Sequence, residues 1–63
     1  MLVERINETD FANIYGVYDN SGKVIGQIEE VLAGRYTGTY FYTLSGKYTR
    51  NDIKRFFKEY KGV

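Results

Sequence analysis

Residues 49–61, TRNDIKRFFKEYK, carry apolar side chains at Ile53, Phe56, Phe57 and Tyr60, the i, i+3, i+4, i+7 spacing that lines one side of a helix. Thr49 precedes the stripe as an N-cap. Asp52, three residues on, completes a capping-box-like pair and places a carboxylate in the positive first turn. A short amphipathic helix is stable only against another surface, so the rest of the chain must supply one.

Four extended segments can do so. LVERI (2–6) partly alternates, FANIYGVY (11–18) is aromatic and β-branched, and KVIGQIEEVL (23–32) and RYTGTYFYTL (35–44) complete the set. Tight turns at Asn20-Ser21-Gly22 and Ala33-Gly34 make the last three an antiparallel meander. The expected fold is α+β: an antiparallel sheet of three to four strands with one C-terminal helix on a single face, residues 1–63 forming one small domain.

Composition narrows the chemistry. A chain of 63 residues buries only about 60% of its unfolded surface, which leaves no room for a deep active-site cavity. It contains no Cys and no His, so disulfides, thiolate metal sites and the commonest general base are excluded. Glu29 and Glu30 are adjacent in a strand and point to opposite faces, which rules them out as a paired acid and base. Ser-Gly-Lys occurs at 21–23 and 45–47, but neither copy has the spacing of a phosphate-binding loop, and Ser21 and Ser45 have no base to activate them. The expected protein is non-catalytic, without cofactor or metal. Its N-terminus carries acids where a signal peptide needs an apolar run, and no stretch approaches the roughly 20 apolar residues of a membrane span. A cytoplasmic location, away from membranes, is expected.

Charge is divided along the chain: residues 1–31 sum to −4 and residues 32–63 to +5. The division suggests an interaction face or two. With Ala33-Gly34 as a two-residue loop, Gln27 pairs with Tyr40 and Ile25 with Tyr42. Tyr36, Tyr40 and Tyr42 then share the face away from the helix with Gln27, Glu29 and Val31. Val24, Ile28, Leu32 and Phe41 form the core, with Gly26 making room for a helix side chain. The first turn allows two registers. A two-residue loop sets Tyr18 opposite Ile25 on the face of Glu29, which is favoured; a three-residue loop with Gly22 left-handed and a bulge sets it opposite Val24, toward the helix.

The stretch VYDNSGKVIGQIEEVLAGRYTG (17–38) resembles a family of small phage proteins, the sheet-plus-helix inhibitors of type I-F CRISPR surveillance complexes. The shared pattern runs through Val17, Tyr18, Asp19, Asn20, Ser21, Gly22, Lys23 and Val24 to Ile28, Glu29, Val31, Leu32, Gly34, Arg35 and Gly38. The resemblance implies a sheet face laid on the backbone subunits of the complex, hindering the pairing of target DNA with the guide. Two contact positions of that family fall on Tyr18 and Glu29 with matching residue types; a third, a tyrosine, falls on Glu4.

The expected function is therefore inhibition of a host protein complex through Tyr18, Gln27, Glu29, Tyr36, Tyr40 and Tyr42, the chain being a monomer or a homodimer joined by its tyrosine face. The alternative is nucleic-acid binding through Lys54, Arg55, Lys58 and Lys61 on the basic side of the helix.

Overall fold

The computed structural model describes residues 2–62. Strands β1 (Leu2–Glu8), β2 (Ala12–Tyr18), β3 (Val24–Val31) and β4 (Tyr40–Leu44) form one antiparallel sheet in the order β1-β2-β3-β4, and helix α1 (Arg50–Lys61) crosses one face. The fold is α+β, as expected. The helix ends are built as its sequence requires. Thr49 Oγ1 accepts the Asp52 N–H at 3.2 Å, the Thr49 N–H donates to Asp52 Oδ2 at 3.0 Å, and Gly62 closes the C-terminus at φ 77°.

Ile53 and Phe57 are the buried part of the helix stripe, and they lie on Val3, Tyr15, Val17, Ile25 and Ile28. Phe57 sits 4.8 Å from the Tyr15 ring and 5.6 Å from the Tyr40 ring, centre to centre. Gly26 makes room for the helix: a Cβ there would lie 3.0 Å from Ile53 Cδ1 and 3.0 Å from the Thr43 carbonyl oxygen.

The first hairpin combines both registers left open by its sequence. Asp19 and Lys23 flank a three-residue loop closed by the Asp19 N–H to Lys23 carbonyl bond at 2.9 Å, with Gly22 at φ 88°. The Asp19 carboxylate secures it, accepting from the Ser21 N–H, the Ser21 hydroxyl and the Lys23 N–H at 2.7–3.0 Å. These bonds hold the Asp19 carboxyl below its ordinary range, the Ser21 hydroxyl contributing most. Tyr18 accordingly pairs with Val24, but a bulge at Ile25 absorbs the extra residue, so Val17 pairs with Gly26 and Ile14 with Glu29. Tyr18 does not turn toward the helix. Its ring lies over Gly16, where a Cβ would meet the Tyr18 hydroxyl at 2.7 Å, on the same face as Glu29.

The β3–β4 connection corrects the expected register. Residues 32–39 form a double turn: Gly34 and Gly38 both take positive φ, the Thr37 N–H and hydroxyl reach the Gly34 carbonyl, and the Thr39 N–H reaches that of Tyr36. Val31 exchanges hydrogen bonds with the far end, at Gly38 and Thr39. Ile28 therefore pairs with Tyr42, Glu29 with Phe41 and Glu30 with Tyr40. The shift from the two-residue loop is odd, and an odd shift turns every side chain of β4 to the other face. Tyr40 and Tyr42 lie on the helix side, and Phe41 lies outside at 48% exposure. Of the four residues expected in the core only Ile28 is buried; Val24 and Leu32, like Phe41, are exposed.

Replacing Gly26 by Val should lower stability by about 1–3 kcal/mol, because the added methyls meet a backbone carbonyl that cannot move aside as well as Ile53. Urea or thermal melts check this; an unchanged melt would mean that the helix does not close over Gly26.

Candidate binding surfaces

Glu30 is the polar centre of the helix-covered side. Its Oε1 accepts from Asn13 Nδ2 and from the Tyr15 hydroxyl, and its Oε2 from the Tyr40 hydroxyl, each at 3.2 Å. Lys61, from the last turn of α1, donates to the Tyr40 hydroxyl at 3.1 Å and stands 3.9 Å from Oε2. The hydrogen bonds, Asn13's first, hold the Glu30 carboxyl below its ordinary 4.5 against the opposing effect of desolvation. Burial, with the Glu30 charge beside it, pushes the Tyr15 phenol up, and the hydrogen bond to Tyr40 raises the Lys61 ammonium. A carboxylate saturated in this way is structural: it fastens β2, β4 and the helix C-terminus to β3 and is poorly placed to move a proton.

Beyond this knot, a groove of about 550 Å³ runs between β4 and α1. Tyr40, Tyr42 and Phe57 line it as apolar floor, and Lys54, Lys58 and Lys61 stand around it. Arg55 also reaches the groove but is paired with Asp52 at 3.2 Å, and the Arg50 guanidinium lies over the Tyr42 ring at 5.4 Å. Burial raises the Tyr42 phenol above its ordinary value.

The opposite face of the sheet is covered by no described element. Strand parity places Glu4, Ile14, Gly16, Tyr18, Gln27, Glu29, Phe41 and Thr43 on it. A hollow of about 440 Å³ lies at one end, between Leu2, Glu4, Tyr18 and the turn at Asp19–Gly22. At the other end the Tyr36 ring stands edge-on to Phe41 at 6.1 Å.

The six residues expected to share one face are thus divided. Tyr18, Gln27 and Glu29 are on the uncovered face, and Tyr36 stands in the double turn at its rim, against Phe41. Tyr40 and Tyr42 are on the other side, half-buried against the helix, because the longer turn reverses the parity of β4. There they meet Lys54, Arg55, Lys58 and Lys61, which sequence reasoning had kept apart as a separate basic surface. Phe41 and Ile14 on the uncovered face, and Glu30 as a hub, were not foreseen. The signal for Phe41 was Gly38, a second glycine four residues after Gly34, which makes a second turn out of residues assigned to the strand.

The Glu30 knot has a pH signature. Its folded-state pKa lies below the unfolded value, so its contribution to stability is complete above pH 4.5 and disappears as pH falls through the folded-state value. Glu30→Gln should cost about 1–3 kcal/mol near neutral pH and much less in acid, where wild type and variant converge in urea melts. A deficit that stays constant from pH 7 to about pH 3 would contradict the ionised knot.

No helix among the described residues is long and apolar enough to cross a membrane. Comparison with family models, curated proteins and solved structures finds no match to this chain.

Proposed function

We propose that this chain is a small phage- or prophage-type protein that acts without catalysis, binding a host protein complex through its uncovered sheet face and inhibiting it. The observation that carries the reading is the contiguity of Tyr18, Gln27, Glu29 and Phe41 on a face that no other described element covers. Rigid aromatic rings among hydrogen-bonding side chains are the composition of binding hot spots.

Glu4 and Glu29 on the same face favour a basic partner surface. The resemblance of residues 17–38 to the sheet-plus-helix CRISPR inhibitors makes the type I-F surveillance complex the first target to test. Its backbone subunits hold a guide RNA, and a surface that holds RNA is basic, so acids on the inhibitor complement it. Tyr18 and Glu29 occupy matching contact positions on one face here, and Glu4 adds a carboxylate where that family has a tyrosine.

The test is affinity for purified type I-F complex, with the effect on target-DNA binding read in parallel. Wild type should bind and block DNA. Glu29→Lys and Phe41→Ala should each weaken binding at least about tenfold, a 1.4 kcal/mol effect. Their melting behaviour should stay close to wild type, since both side chains are exposed. Absence of binding to the complex, or binding indifferent to both substitutions, would refute the reading.

A further inference from the structure

We infer that the groove between β4 and α1 binds single-stranded nucleic acid, a base resting on the half-buried Tyr42 ring and the phosphates running along Lys54 and Lys58. The site is separate from the uncovered sheet face, and the inference does not depend on the function proposed for that face.

Three observations carry it. First, the odd register of β4 brings Tyr40 and Tyr42 to the side of the basic helix, so that rings and ammonium groups line one open groove of about 550 Å³. A positive groove with aromatic rings on its floor is the arrangement that single strands exploit, because every base has a π-face to stack. Second, Lys54 and Lys58 are one helical turn apart, about 6 Å along the axis, close to the length of one nucleotide in an extended strand. Both are exposed, and neither side chain has an ion-pair partner among the described residues. Third, the other cations are engaged and fix the path. Lys61 is held by Tyr40 beside Glu30, Arg55 by Asp52, and Arg50 lies over the Tyr42 ring, which leaves Lys54 and Lys58 as the groove-lining cations without an ion-pair partner among the described residues.

The same features decide against the other polyanions. Duplex DNA presents its phosphates but hides the faces of its bases, so the floor would go unused. An acidic peptide supplies charge without rings to stack. The sheet face is not an alternative route for nucleic acid, because Glu4 and Glu29 stand on it.

Fluorescence anisotropy with a labelled oligothymidine of about 15 nucleotides, at about 50 mM salt, tests the inference on the full chain. The oligonucleotide should bind, and two phosphate contacts should weaken it by about 5–10-fold on raising salt to about 200 mM. Lys54→Glu with Lys58→Glu, both on the solvent side of the helix, should abolish binding without unfolding the protein. Tyr42→Leu, which keeps the apolar contact but removes the ring, should weaken it about tenfold. Phe41→Ala, on the far face, should leave it unchanged. A failure of the oligonucleotide to bind would overturn the inference. So would a duplex of equal length binding as tightly, or polyglutamate displacing the oligonucleotide at equal charge, which would mark an acidic-peptide site.

Discussion

A carboxylate on the covered side of a sheet must be given donors or kept in water, and Glu30 sits on that side of β3 because Ile28 and Gly26 do. Much of the molecule is arranged around it. Asn13 and Tyr15 reach it from β2, Tyr40 from β4, and Lys61 from the end of the helix. The register in which Tyr40 stands opposite Glu30 supplies one of these donors directly. In the slipped register of a two-residue loop the opposite residue would be Thr37, too short to fill the same space with a ring. The tyrosines of β4 therefore belong where their rings can pack on Phe57 while a hydroxyl meets the carboxylate.

The consequences reach both surfaces. Turning Tyr40 and Tyr42 inward turns Phe41 outward, beside Glu29 and Tyr36. One side of the sheet then carries apolar and acidic residues that no described element covers, while the groove on the other side carries rings and lysines. The acid and base excess of the two halves of the chain is cancelled across the fold at Glu30 and Lys61, and elsewhere is expressed in space. Glu4 and Glu29 face one way, and Lys54 and Lys58 border a groove on the other side. The two surfaces proposed for binding are of opposite sign, and each can be altered without touching the other.

The helix was legible from its residues to within a position at either end, because capping and periodicity are local: Thr49, Asp52 and the stripe from Ile53 to Tyr60 need no knowledge of the rest. The face of Tyr18 was also legible, though by a route that mixed two readings. The left-handed Gly22 lengthened the loop and the bulge at Ile25 restored the register beyond it. The face of β4 was not legible. Its parity depends on how many residues the turn consumes, and Arg35-Tyr36-Thr37-Gly38 is compatible with a strand by propensity and with a turn by its glycine. A miscount of three residues left every strand pairing plausible and reversed the faces of Tyr40, Phe41 and Tyr42. Gly38 as a second turn glycine, and Glu30 as a half-buried acid in need of donors, were the features that could have chosen between the two.

The register of β3 and β4 is accordingly the point on which the account stands, and cross-strand NOEs in solution read it directly. Backbone contacts should join Ile28 with Tyr42 and Glu30 with Tyr40, with the Tyr40 ring close to Phe57. Contacts joining Gln27 with Tyr40 and Ile25 with Tyr42 would place the tyrosines on the uncovered face. That result would contradict both the Glu30 knot and the aromatic groove.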